Sequence, residues 1–174
     1  MQFSLTRPLQ LLGRMALAVA LLAPCAAMAQ PDMIYLVRHG EKAADGNDPS
    51  LTPQGRQRAQ NIATMLQRAG IKAIFSSATV RTRETAQPLS MSLNLPVQQY
   101  EAGKPEALVA RVKALQGPVL VVGHSNTLPE LVRLFGGAPG TEIGDNEFDR
   151  VYQLVNGADG KVTTVLLTSL PATP

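Results

Sequence analysis

The chain of 174 residues has no tryptophan and few other aromatic residues, a single cysteine and only two histidines. Proteins that bind single-stranded nucleic acid usually stack the bases on aromatic side chains, and aromatic residues make up only 4% of this chain. The formal net charge, +3, is also small. We therefore expect no nucleic acid among the partners of this protein.

The first 29 residues follow the order of a secretory signal peptide. Arg7 and Arg14 precede an apolar run at 15–23, and the small residues around Met28 form a cleavage site. The alternative is a membrane anchor, but the run is about half of the roughly 20 residues that a spanning helix needs. We expect cleavage after Ala29, a periplasmic or secreted protein, and no membrane span in the mature form.

The single cysteine, Cys25, lies inside this segment. A lipoprotein acylated at Cys25 is the alternative, although Pro24 stands where lipoprotein signals usually place a small residue. Cleavage after Ala29 would remove the cysteine, so we expect neither a disulfide nor thiolate chemistry in the mature protein. It would also remove Arg7 and Arg14, leaving 14 basic residues against 13 acidic ones, a balance of +1.

The remaining residues, 30–174, are enough for a single domain with its own core. Strand and helix patterns alternate along them and a hairpin closes the chain. We therefore expect an α/β fold of three layers, with a mainly parallel sheet, helices on both faces and one antiparallel strand. The predicted strands cover 33–37, 73–76, 119–122, 151–155 and 162–167. Helices are predicted to begin at Pro53, Thr79, Pro105 and Leu128, and the second of them to end at Leu89.

Both histidines come directly after predicted strands. Arg38 and His39 follow the strand at 33–37, His124 follows the strand at 119–122, and Arg81 starts the helix after the strand at 73–76. The carboxyl ends of parallel strands meet at one edge of a sheet. Guanidinium groups bind phosphate through two hydrogen bonds, and a helix N-terminus favours negative charge. The sequence thus predicts an anion pocket at this edge.

The segment Leu36-Val37-Arg38-His39-Gly40-Glu41 resembles the Arg-His-Gly signature of the histidine phosphatase superfamily, which includes the cofactor-dependent phosphoglycerate mutases. Three more segments agree with that family in order and spacing, at 51–55, 76–86 and 122–125. A tripeptide alone is a weak signal, whereas ordered matches along one chain are specific. The resemblance covers roughly 33–135 and implies the phosphoglycerate mutase-like fold.

The resemblance also implies a mechanism. His39 would be the nucleophile that receives a phosphoryl group, and water would then release phosphate. Arg38, Arg81 and His124 would hold the phosphoryl oxygens, where charge is spread in the transition state. We expect a neutral, oriented imidazole at His39 and no metal or other cofactor. The expected substrate is a small phosphorylated molecule or a phosphoprotein.

The leaving group needs a proton, which related enzymes usually take from a carboxylic acid between the second strand and the second histidine. Glu101 and Glu106 are the acids between Thr85 and His124, and neither lies in a recognisable motif. Glu106 stands in the first turn of a predicted helix, where an acid is favoured by the helix dipole alone. Some small members that act on phosphohistidine lack the acid, so the proton donor stays open between these alternatives.

Three further residues are candidates for the pocket. Glu41 follows the nucleophile closely, and its alternative role is an ion pair with Lys42 or Arg38. Lys42 and Asn126 are candidates for the pocket mouth.

The leading hypothesis is an exported phosphatase that hydrolyses phosphomonoesters or phosphohistidine. A phosphate-binding or regulatory module with weak or no turnover is the second. A mutase-type phosphotransferase is the third and least favoured hypothesis. About 145 residues leave little room for the insertions that shield a phosphoenzyme from water in a mutase.

Overall fold

The computed structural model describes residues 30–171. The predictions for the signal peptide and Cys25 lie outside these residues. No helix within the described range is long and apolar enough to cross a membrane.

Six strands form one sheet. Their bounds are Met33–Arg38 (β1), Ala73–Ser77 (β2), Val97–Tyr100 (β3), Val119–Gly123 (β4), Arg150–Asn156 (β5) and Val162–Thr168 (β6). The strand order is β3-β2-β4-β1-β5-β6, and the first four strands pair in parallel. Strand β5 is antiparallel to both neighbours, β1 and β6. The predicted fold class, with one strand opposed to the others, is confirmed.

Four helices connect the strands, with bounds Pro53–Leu66 (α1), Val80–Leu93 (α2), Pro105–Lys113 (α3) and Leu128–Leu134 (α4). Helix α1 begins where its local sequence predicts. The Thr52 hydroxyl accepts a hydrogen bond from the Gly55 N–H at 3.1 Å, and Pro53 occupies the first helical position. Both features favour a helix start, because the cap satisfies a free N–H and proline has none to satisfy.

The two faces of the sheet are buried by different helices. Along β1, Ile34 and Leu36 belong to the core layer under α3 and α4, while Tyr35 and Val37 belong to the layer under α1 and α2. This alternation is the two-residue period of a strand buried on both faces. Burying each large aliphatic side chain contributes about 1.5–3 kcal/mol, and the paired layers hold the carboxyl ends of β1, β2 and β4 at one edge.

Two elements differ from the prediction. Strand β3 was not predicted, since it is a short edge strand of mixed polarity. Helix α2 runs past Leu89 and through Pro88. Proline removes one helical hydrogen bond, but Leu89 is buried against the sheet. The helix ends where Asn94 adopts a left-handed conformation, φ 52°, which is a common helix terminus.

Candidate active site

His39 directly follows β1 and is 4% exposed. Its backbone N–H donates to the Gly123 carbonyl oxygen at 3.0 Å. Its ring Nδ1 lies 2.7 Å from the carbonyl oxygen of Gly40. A carbonyl oxygen only accepts hydrogen bonds, so the proton of the neutral ring lies on Nδ1 and the lone pair lies on Nε2.

Burial is the main reason that the pKa of His39 falls from 6.5 to about 3. The Gly40 carbonyl opposes this fall, while His124 and the positive charges of Arg81 and Arg38 add to it. The imidazole is therefore neutral at pH 7, and Nε2 is available as a nucleophile.

Gly40 and Gly55 allow the loop after the nucleophile to lie directly on the first turn of α1. A Cβ on Gly40 would lie 2.6 Å from the Gly55 carbonyl oxygen, and a Cβ on Gly55 would lie 2.2 Å from the Glu41 carbonyl oxygen. The Gly40 N–H also donates to the hydroxyl of Thr85 on α2 at 2.9 Å. These contacts join three of the motif segments into one frame around His39.

His124 follows β4 and meets His39 across the sheet edge. The centroids of the two rings are 5.4 Å apart. Nε2 of His124 lies 2.8 Å from the hydroxyl oxygen of Ser77 at the end of β2. Burial, followed by the charges of Arg81 and Arg38, lowers the pKa of His124 to about 4. Two neutral imidazoles thus face one another at the carboxyl ends of the strands.

Arg38 is buried beside the nucleophile with 7% exposure. Its Nη1 donates to the carbonyl oxygens of Gly144 and Glu147, both at 2.8 Å, and its guanidinium carbon lies 4.0 Å from the centre of the Phe148 ring. Its Nε is buried and has no hydrogen-bond partner within the described residues. Because an unpaired buried donor is costly, this N–H favours a bound anion.

Arg81 lies in the first turn of α2, and its Nε is likewise buried without a hydrogen-bond partner within 30–171. One oxygen of Asp48 lies 3.4 Å from its Nη1. The same carboxylate accepts from the Val80 N–H at 3.0 and 3.1 Å. The first N–H of α2 is therefore bonded to Asp48, which corrects the expectation that this helix N-terminus is open to an anion.

An open cavity of about 610 Å³ lies beside His124 and Ser77. Glu101 and Lys104 line it and form an ion pair of 2.8 Å, and Arg111 lies on its wall. Glu106, the other candidate acid, is exposed on α3 and does not line this cavity. Of the two acids, only Glu101 lines the cavity that His124 also lines.

Comparisons with known proteins find a family match in the first part of the described chain. Residues 34–102 match the family model described as the histidine phosphatase superfamily, branch 1. This range contains Arg38, His39 and Arg81, and His124 lies beyond it. Over this range the chain is similar to the histidine phosphatase superfamily.

Two curated proteins are similar to part of the chain. A human 6-phosphofructo-2-kinase/fructose-2,6-bisphosphatase 4 is 36% identical over 78 residues, which is 41% of this chain and 16% of the human protein. An Escherichia coli protein named probable phosphoglycerate mutase GpmB is 31% identical over 104 residues, 56% of this chain and 44% of that protein. The chain thus matches less than half the length of either relative.

Solved structures share the fold over most of the described chain. The protein histidine phosphatase SixA, complexed with tungstate, has a TM-score of 0.59 at 21% identity, covering 79% of this chain and 96% of SixA. A mycobacterial glucosyl-3-phosphoglycerate phosphatase has a TM-score of 0.61 at 16% identity, covering 79% and 97%. At these identities the likeness shows the phosphoglycerate mutase-like fold.

Glu41 has a different partner from the two that the sequence suggested. It forms an ion pair of 2.6 Å with Arg58, which is fully buried, rather than with Lys42 or Arg38. Burial alone would raise the pKa of Glu41, but the hydrogen bonds and charge of Arg58, a backbone hydrogen bond and the hydrogen bond from Gln54 together outweigh it and lower the pKa. Arg58 also donates to the backbone and the hydroxyl of Ser169, at 3.2 and 3.0 Å.

Lys42 and Asn126 are both exposed. Lys42 forms an isolated β-bridge with Leu51. Asn126 lines a separate cavity with Arg133 and Glu142. Neither residue lines the cavity beside His124.

Within residues 30–171, no three His, Cys, Asp or Glu side chains are grouped so as to hold a metal ion. The positive charge at the site comes from the side chains of Arg38 and Arg81.

Sequence reasoning assigned no role to four residues at or behind the site, namely Asp48, Arg58, Ser77 and Phe148. Ser77 lies in one of the family-like segments, so the motif itself carried a signal. Asp48 and Phe148 lie in loops whose conformation no periodic pattern predicts.

Proposed function

We propose that this chain is a histidine phosphatase, exported from the cytoplasm, that hydrolyses phosphomonoesters or phosphohistidine through a phosphohistidine intermediate on His39. The observation that carries the proposal is the state of that ring. Its Nδ1 is bonded to the Gly40 carbonyl, and the lone pair on Nε2 lies at a strand edge beside two guanidinium groups. A neutral oriented nucleophile beside an anion pocket is what phosphoryl transfer requires.

The reaction has two displacements. Nε2 of His39 attacks phosphorus, a P–N bond forms, and the bond to the leaving group breaks. Water then attacks the phosphohistidine, the P–N bond breaks, inorganic phosphate leaves and the neutral ring is restored. Arg38, Arg81 and His124 stabilise the negative charge on the phosphoryl oxygens in both steps.

We assign the proton for an alcohol leaving group to Glu101 rather than Glu106, because Glu101 lines the cavity beside His124. A protonated carboxyl donates to the leaving oxygen as its bond to phosphorus breaks. An imidazole leaving group, as in phosphohistidine, already carries its proton and needs no such acid. The two substrate classes therefore depend on Glu101 to different degrees.

The names of the structural neighbours support a phosphatase of this kind. One is named a protein histidine phosphatase, and another is named for a small phosphorylated sugar acid. A small phosphorylated molecule or a phosphoprotein is thus the proposed substrate. Export rests on the signal-peptide pattern of residues 1–29.

One observation favours the second candidate, a phosphate-binding module with weak turnover. The carboxylate of Glu101 is ion-paired with Lys104, and both side chains are mostly exposed, 70% and 65%. A surface carboxylate in such a pair is not held in place by the fold, as a general acid must be. Binding of phosphate or vanadate without hydrolysis of any ester or phosphoramidate would favour this candidate.

The test of the proposal is phosphate release by the purified protein from 4-nitrophenyl phosphate and from phosphohistidine, with a metal chelator present. We expect hydrolysis that the chelator does not reduce and that is absent in His39→Ala. Chelator-sensitive activity, or activity that survives His39→Ala, would contradict the proposal.

A further inference from the structure

A buried hydroxyl contacts the second histidine of the site. Ser77, the last residue of β2, is 2% exposed. Its Oγ lies 2.8 Å from Nε2 of His124 and 3.0 Å from Oγ1 of Thr82. The role of His124 therefore depends on which atom supplies the proton in the 2.8 Å contact.

The surroundings of Thr82 bear on that question. Its Oγ1 lies 3.0 Å from the Ser77 carbonyl oxygen and 2.9 Å from the Thr79 carbonyl oxygen, and these oxygens only accept. Its single proton therefore has a carbonyl acceptor. Because that proton is used by a carbonyl oxygen, Thr82 does not donate to Ser77. The proton of Ser77 is thus its own to donate, and Nε2 of His124, at 2.8 Å, is a nearer acceptor than Oγ1 of Thr82, at 3.0 Å.

The contact also limits what His124 can offer to a ligand. Nε2 is committed to a buried serine, so Nδ1 is the ring nitrogen left for a phosphoryl oxygen. A phosphoryl oxygen is an acceptor and needs a donor. The neutral ring has one proton, and only the tautomer with that proton on Nδ1 supplies the donor.

We propose that Ser77 is a positioning residue that sets the tautomer of His124, by donating its hydroxyl proton to Nε2 and so keeping the ring proton on Nδ1. The use of that proton to bind a phosphoryl oxygen rests on the proposed function, while the tautomer itself does not. Both histidines then carry their proton on Nδ1 for different reasons. His39 does so through a carbonyl acceptor at Nδ1, and His124 through a hydroxyl donor at Nε2.

The decisive measurement is a nitrogen-15 NMR spectrum of the purified protein labelled at histidine. The chain has only two histidines, and a His39→Gln variant assigns the signals of His124. At pH 7 we expect a protonated, pyrrole-type signal for Nδ1 of His124 and a pyridine-type signal for Nε2. The reverse pattern would overturn the proposal.

Ser77→Ala tests the role of the hydroxyl, and Ser76→Ala is its matched control. Ser76 is also fully buried, but its hydroxyl donates to the Ser77 carbonyl oxygen at 2.9 Å rather than to a ring. We expect Ser77→Ala to mix the two tautomers of His124 and to lower kcat about tenfold, which is the loss of one hydrogen bond. Ser76→Ala should leave the tautomer unchanged, and Ser77→Thr should restore it.

Titration of His124 in the same spectra gives a second sign. Arg81, Arg38 and Asp48 are the charged groups that act on this ring. If Ser77 donates to Nε2, its hydroxyl stabilises the neutral ring, so Ser77→Ala raises the pKa of His124 above about 4. If Ser77 accepts instead, its loss lowers that pKa, and the proposal is wrong. These readouts need no turnover, so a failure of the phosphatase proposal would not be mistaken for a failure here.

Discussion

The anion pocket around Arg38 and His39 differs in its construction from the cavity that Glu101 and Lys104 line. In the pocket, Arg38 and His39 are 7% and 4% exposed, and backbone carbonyls bond to both side chains. In the cavity, Glu101 and Lys104 are ion-paired with each other and mostly exposed. The fold therefore fixes Arg38 and His39, the groups that we propose act on phosphorus. Glu101, which we propose as the proton donor to the leaving group, is by contrast a surface side chain.

The largest effect should come from breaking the buried ion pair of Glu41 and Arg58 behind the pocket. Arg58→Met removes the charged partner of the Glu41 carboxylate and leaves it only the hydrogen bond from Gln54, so we expect the free energy of unfolding to fall by about 3–5 kcal/mol. Urea denaturation measures it. Lys104→Met, which breaks the exposed pair at the cavity, is the matched control and should cost less than about 1 kcal/mol. Equal losses would show that the two regions do not differ in this way.

Arg38→Lys should lower kcat for 4-nitrophenyl phosphate by about 10²–10³, since one ammonium cannot replace the fixed guanidinium in the transition state. Steady-state kinetics measure this effect. Arg111→Lys, on the cavity wall, should change kcat for the same substrate much less. A comparable loss of kcat in both variants would contradict the proposal that Arg38 acts on the phosphoryl group while Arg111 only lines the cavity.

Glu101→Gln should lower kcat about 10–100-fold for an alkyl phosphate, whose leaving group needs a proton. Hydrolysis of phosphohistidine should change little in the same variant. Glu106→Gln is the control and should leave both rates unchanged. Loss of activity in Glu106→Gln but not in Glu101→Gln would show that the proton donor is Glu106 and that our assignment is wrong.

The smallest effect should be a dependence of stability on pH. In the folded state the pKa values of His39 and His124 are about 3 and about 4, below the ordinary value of 6.5. As pH falls below 6.5, the unfolded chain binds protons that the folded chain does not, so stability declines. The decline is at most about 1.4 kcal/mol per pH unit for each histidine.

Urea denaturation between pH 7.5 and 5.5 measures this decline above the range where carboxylates titrate. The variant His39→Gln/His124→Gln should show a flatter dependence on pH. An equal decline in that variant would assign the effect to other groups.

The sequence predicts the centre of the fold better than its edges. Strands β1 and β4 are uninterrupted apolar runs, and α1 begins with a cap and a proline, so local residues are enough to place them. Strand β3 is paired on one side only and its pattern is weaker. Its position depends on β2, which local sequence does not reveal.

The candidate site shows the same limit. Arg38, His39 and His124 could be placed because Arg38 ends a central strand and each histidine directly follows one. Arg58 could not, since a helical pattern treats arginine as a surface residue, and its burial depends on Glu41, 17 positions away. Phe148 lies against Arg38 because its loop folds back onto the strand end. In that loop the carbonyl oxygens of Gly144 and Glu147, which are 106 and 109 positions from Arg38, accept its hydrogen bonds.

The most direct test of the account is to trap the phosphoenzyme. The protein is mixed with a labelled aryl phosphate, quenched in alkali and mapped by mass spectrometry. We predict an acid-labile, alkali-stable phosphoryl group on His39 that turns over at the rate of hydrolysis and is absent in His39→Ala. Turnover with the phosphoryl group on His124 or on a serine or carboxylate, or with no phosphoenzyme at all, would contradict the assignment of His39 as the nucleophile.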